Sequence, residues 1–157
     1  MHHLTFLDAS TVGDVSLNPL AELGELETFA TTSADETAER LSNTTIAITN
    51  KVMIDAEVIA AAKNLQLICV AATGTNCVDL EAARHAHLPV CNVAGYSTAG
   101  VEQHTIGLLI NLATNMHRLA NEAPAWAESP IFTRLDYPIV DLAGKTLGII
   151  GLGTIGK

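Results

Sequence analysis

Five short runs of β-forming residues, separated by stretches of helical character, set the tightest limit on what this chain can fold into. The runs fall at residues 4–7, 26–30, 45–49, 65–71 and 89–93. Parallel strands need a crossover of a dozen or more residues, usually a helix, and such crossovers are right-handed. The run Leu65-Gln66-Leu67-Ile68-Cys69-Val70-Ala71 is the most apolar and predicts a central strand covered on both faces. Helix starts are marked in between. Ser33-Ala34-Asp35-Glu36 is a capping box opening a helix through Leu41, and Asp55 caps a helix carrying Val58, Ile59 and Ala62. Asp79 caps residues 80–87, while residues 17–23 are helical with Gly24 as the stop. These signals predict an α/β, doubly wound, all-parallel sheet in the flavodoxin-like order 2-1-3-4-5.

The rhythm changes after Gly95-Tyr96. With Ser97 or Thr98 as N-cap, one helix is expected to run to about Asn121. Val101, Thr105, Leu108, Leu112, Met116 and Leu119 make one apolar stripe, and Ile106, Leu109, Ile110 and Ala113 another. A helix apolar over most of its circumference is expected to be buried on several sides, between domains or against a partner subunit. Residues 124–138 look loop-like, with Trp126 and Phe132 as anchors. Residues 146–150 predict a strand, followed directly by Gly151-Leu152-Gly153-Thr154-Ile155-Gly156. That spacing is the dinucleotide fingerprint. Its first glycine allows a tight turn, its second lets backbone approach a pyrophosphate, and its third lets a helix pack on the strand. The helix that would receive the phosphates, and the acidic residue expected about 20 residues on, would fall past Lys157. A second turn, Ala72-Thr73-Gly74-Thr75-Asn76, follows the central strand and offers backbone N–H groups where doubly wound proteins bind ligands.

Composition removes several classes. Seventeen acidic against eight basic residues give a net charge of −9, with no basic stripe for nucleic acid. No apolar stretch is long enough to span a membrane, and the N-terminus lacks a basic start and long apolar core, so a cytoplasmic location is expected. Cys69, Cys77 and Cys91 lie in or beside apolar runs and are expected as buried, reduced thiols rather than metal ligands. His85, His87 and His117 are expected at the surface and His104 in a core or interface; no nucleophile–base pairing can be argued from spacing.

Taken together, the chain resembles the D-isomer-specific 2-hydroxyacid dehydrogenases, most closely the glycerate dehydrogenase/hydroxypyruvate reductase branch. The resemblance runs in order through Thr49-Asn50-Lys51-Val52, the segment from Ala72 to Ala82, Val90-Cys91-Asn92-Val93-Ala94-Gly95-Tyr96-Ser97-Thr98 and Val101-Glu102-Gln103-His104-Thr105. It continues in Ser129-Pro130, Leu135-Asp136-Tyr137-Pro138 and the stretch from Gly144 to Gly156. Two positions depart from the family pattern: Gln103, where an acidic or small residue is usual, and Ala125-Trp126-Ala127, which lacks a glycine before tryptophan.

The resemblance implies a substrate domain at residues 1–97, an interdomain and dimerisation helix at 98–123, and the start of a Rossmann domain at 124–157. It implies that Thr73 and Gly74 bind a small 2-keto or 2-hydroxy acid; Lys51, at the neighbouring strand end, is either a solvated surface lysine or an added substrate-binding charge. It implies cofactor contacts to NAD or NADP from Thr73, Val101, Gly151, Gly153, Thr154, Ile155 and Gly156, and a homodimer through residues 98–121. The family's catalytic Arg, Glu and His would all lie past Lys157, so these 157 residues are expected to be inactive alone. Residues 146–150, lacking their pairing strands, are expected to expose apolar area and favour self-association.

Three rivals share parts of the pattern. A phospho-receiver needs an acid where Asn50 stands. A flavin-binding module would use Asp8-Ala9-Ser10-Thr11-Val12-Gly13 as its phosphate loop. A nucleotide-sensing corepressor is a non-enzymatic variant of the same family.

Overall fold

Each of the five β-type runs forms a strand: β1 (His2–Phe6), β2 (Gly24–Thr28), β3 (Ile46–Thr49), β4 (Leu67–Val70) and β5 (Val90–Asn92). All pair in parallel, in the order β2-β1-β3-β4-β5 that the sequence predicts. The computed structural model describes residues 1–157, which form two units, Met1–Ala94 and Gly95–Lys157.

In the first unit, strand alternation sends Ala47, Ile68 and Val70 to one face of the sheet. There they pack with Leu41, Val58, Ile59, Ala83 and Leu88, in or beside the helices α2 (Ala34–Arg40), α3 (Ala56–Ala61) and α4 (Leu80–His85). Leu4, Phe6 and Ile48 point the other way, toward Val12, Leu17 and Leu20 around a 3-10 turn (Ala9–Val12) and the short helix α1 (Asn18–Ala21). The three predicted helix starts are made as expected. The Ser33 N–H donates to Glu36 Oε2 at 2.9 Å, Asp55 Oδ1 accepts from Val58 N–H at 2.9 Å, and Asp79 Oδ1 accepts from Ala82 N–H at 2.9 Å.

Gly24 does not stop a helix. It opens β2 opposite His2, and a Cβ there would sit 2.3 Å from the His2 carbonyl oxygen, so close strand approach selects the glycine. The thiols also separate. Cys77 is buried, Cys69 half-buried, and Cys91 exposed because it sits on edge strand β5, in register with Cys69. Burial pushes the Cys69 and Cys77 thiols above their ordinary range.

The second unit departs further from the sequence reading. The expected single helix is three: α5 (Thr98–Thr114), α6 (Met116–Asn121) and α7 (Ala123–Ala127). Asn115 breaks the first from the second by adopting the left-handed conformation, with φ at 53°. Its side-chain Nδ2 donates to the Pro138 carbonyl at 2.8 Å, and the Val140 N–H donates to the Ala113 carbonyl at 2.8 Å. These long-range bonds outweigh the continuing apolar stripe. No residue of α5 is buried, and His104 is exposed with the rest rather than held in a core. Residues 146–150 form no strand, because the second unit holds no other strand to accept their backbone bonds. Trp126 is 38% and Phe132 96% exposed, so neither anchors the segment. Arg134 does that instead, bonding Glu122 Oε2 at 2.7 Å and Asp136 Oδ2 at 2.5 Å.

Candidate functional site

The carboxyl ends of β1, β3, β4 and β5 form one rim, and two turns on it are tied down by specific bonds. The first follows β3. Asp8, just past β1 and 3% exposed, accepts the Asn50 N–H at 2.8 Å and the Lys51 N–H at 2.7 Å. The Cys77 thiol donates to the Asn50 carbonyl at 3.7 Å, and the Ile54 N–H donates to the Cys77 carbonyl at 2.7 Å. This lacing joins the loop after β3 to the loop after β4 and leaves the Lys51 side chain exposed.

The second turn follows β4. The Val93 N–H donates to the Ala72 carbonyl at 3.0 Å, and Thr73 Oγ1 donates to the Val93 carbonyl at 2.9 Å. Asn92 Nδ2 donates to the Thr73 carbonyl at 2.6 Å. The bonds that hold Ala72 and Thr73 therefore come from the end of β5. The Thr73 and Gly74 N–H groups donate to no acceptor in the protein and are exposed on the rim. Two adjacent free amides suit a carboxylate, which has two acceptor oxygens. Because the Thr73 hydroxyl proton is committed to Val93, the backbone rather than the side chain is the available donor.

The structure thus brings Thr73, Gly74 and Lys51 to neighbouring strand ends of one rim. Val101, in α5, and Gly151, Gly153, Thr154, Ile155 and Gly156 belong to the second unit. There the fingerprint closes on itself. Gly151 has φ of +105°, and a Cβ on Gly156 would meet the Gly151 carbonyl oxygen at 2.1 Å. The positive φ of Gly151 and the close approach at Gly156 each select glycine in this turn. No helix follows this turn within these 157 residues.

Sequence reasoning missed Asp8 and Asn92. It placed Asp8 only in a loop that could hold a flavin phosphate, but the hydroxyls of that loop are taken. Ser10 Oγ donates to the Ala30 carbonyl at 2.5 Å and Thr11 Oγ1 to the Asp8 carbonyl at 2.7 Å. Two other clefts lie at the amino end of the sheet, lined by Glu25 and Glu27, and their charge is the wrong sign for an acid. No group of three metal-ligating side chains forms, and no helix is long and apolar enough to cross a membrane.

Comparison with known proteins gives the same direction. The glycerate dehydrogenase of Methylorubrum extorquens is 41% identical over 130 residues, 82% of this chain and 41% of that protein. The hydroxypyruvate reductase of Blautia hydrogenotrophica is 35% identical over 150 residues, 92% of this chain and 47% of that protein. This chain therefore spans less than half the length of these curated relatives. An acyclic imino acid reductase, solved in complex with NADPH and D-Arg, superposes with a TM-score of 0.82 at 27% identity, covering 98% of this chain and 50% of that one. The family model for the D-isomer specific 2-hydroxyacid dehydrogenase catalytic domain matches residues 6–154. With the five-stranded sheet and its rim, that match over nearly the whole chain means that the protein belongs to the D-isomer-specific 2-hydroxyacid dehydrogenase family.

Proposed function

We propose that these residues are the substrate-binding part of a cytoplasmic, NAD(P)-dependent 2-hydroxyacid dehydrogenase acting on a small acid such as hydroxypyruvate or glyoxylate and its reduced form. The observation that carries this reading is the pair of unclaimed amides at Thr73 and Gly74 on the carboxyl rim. Their N–H groups hold the substrate carboxylate, and the exposed Lys51 ammonium adds a favourable field from the next strand end. The nicotinamide, when bound, donates or accepts the hydride. The residues of this chain bind and orient the acid. Residues 1–97 form the substrate domain, 98–123 the interdomain helical segment, and 124–157 the beginning of the cofactor domain. The cofactor contacts of this reading, to NAD or NADP, are Thr73, Val101, Gly151, Gly153, Thr154, Ile155 and Gly156. We assign no catalytic residue within the 157. The names of the glycerate dehydrogenase and hydroxypyruvate reductase relatives support the substrate class. A homodimer through residues 98–121 is part of the same reading, supported by the unburied apolar surface of α5.

Titrating hydroxypyruvate into isotope-labelled protein tests the assignment. Amide shifts should move at Thr73 to Asn76 and stay still at the acidic amino end of the sheet. Unmoved shifts at Thr73 and Gly74 at saturating ligand would sink it.

A further inference from the structure

The geometry points to Asn92 as a positioning residue for the acid-binding turn, acting through the peptide between Thr73 and Gly74; this rests on the substrate reading above. A trans peptide places its C=O and N–H on opposite sides of one plane. The Gly74 N–H therefore shares a rigid unit with the Thr73 carbonyl, and the Thr73 N–H with the Ala72 carbonyl. Both of these carbonyls are held. Asn92 Nδ2 donates to the first at 2.6 Å, and the Val93 N–H donates to the second at 3.0 Å. With each carbonyl drawn toward β5, each N–H is turned away from it, and both amides aim outward together. Donation to a carbonyl also polarises its peptide, so the Gly74 N–H becomes a stronger donor to an incoming carboxylate.

Of the two anchors only Asn92 is a side chain, so it is the one a substitution can remove without touching the backbone. The position demands a donor of asparagine's length. Aspartate has the same shape but would set an acceptor against the Thr73 carbonyl and a negative charge beside the substrate carboxylate. Asn92 is exposed on edge strand β5, so its substitution leaves the buried core intact. A residue serving stability alone would show its effect in melting temperature, whereas a residue that aims the Gly74 amide shows it in affinity.

The test compares wild type, Asn92→Ala and Asn92→Asp in the full 157-residue chain, by amide shifts during titration with hydroxypyruvate and, separately, with acetate as a plain carboxylate. Removing one neutral hydrogen bond should weaken hydroxypyruvate binding about three- to tenfold in the alanine variant. The aspartate variant should weaken it about tenfold or more through added charge repulsion. Both should shift the unliganded Gly74 15N resonance while melting within a few degrees of wild type. Equal affinity in all three proteins overturns the role of Asn92 and leaves the substrate reading standing. A wild-type turn that responds to acetate but not to hydroxypyruvate overturns the substrate reading, and the ranking of the variants on acetate then decides Asn92. Silence toward both ligands overturns both.

Discussion

At the scale of single residues, the rim is held by polar side chains that spend themselves on backbone. Asp8 is the clearest case, a buried carboxylate whose two oxygens each take one N–H from Asn50 and Lys51. Replacing it with alanine removes the acceptor of both part-buried bonds, at about 1–3 kcal/mol for each group left unsatisfied. Asp8→Ala should therefore lower unfolding stability by about 2 kcal/mol or more, read by urea denaturation, and an unchanged midpoint would refute the clamp. Neither Asp8 nor Asn92 was legible in the sequence. Nothing local marks an aspartate after a strand as the partner of residues more than forty positions away, and only the sheet order brings Asp8 to Asn50. The turn at Thr73 and Gly74 was legible as a turn, because a Gly-containing segment directly after the most apolar run is a local signal.

At the scale of elements, helix starts were readable and the break inside the long apolar stripe was not. Ser33, Asp55 and Asp79 cap as their spacing predicts, since a cap is decided within four residues. The break at Asn115 depends on Pro138 and Val140, and no short window contains both partners. The capping box carries a pH signature. Hydrogen bonds from the Ser33 side chain, then its backbone, hold the Glu36 carboxyl below its ordinary 4.5, and the Ser33 side chain lowers Asp35 as well. A carboxyl depressed in the folded state stabilises above the unfolded value and loses that contribution as pH falls through the folded one. Ser33→Ala should therefore melt lower than wild type at about pH 7, with the gap narrowing toward about pH 3. A gap that stays constant across that range would show that the cap's contribution does not depend on ionised Glu36.

At the scale of the whole molecule, the second unit exposes apolar side chains along its longest helix. Leu112 is 72%, Ile106 49% and Leu108 49% exposed on α5. Surface of this kind promotes association. Light scattering should give a mass above the monomer at about 100 μM, and Leu112→Glu should move it toward the monomer; a monomeric wild type would contradict the proposed interface. Sheet order had been readable from alternation alone, whereas the failure of residues 146–150 to form a strand had not, since strand propensity cannot supply a partner strand. The anchoring of the turn after β4 by β5 also ties the aim of its amides to the edge of the sheet. β5 is the last strand in the chain and an edge strand of three residues, so the amides of Thr73 and Gly74 acquire their aim only when the sheet is complete. Opening of that one edge, far cheaper than global unfolding, would erase affinity while the other four strands stay paired. A bound acid is then a latch on β5, and hydroxypyruvate should slow hydrogen exchange at the Val93 amide without slowing it at β1.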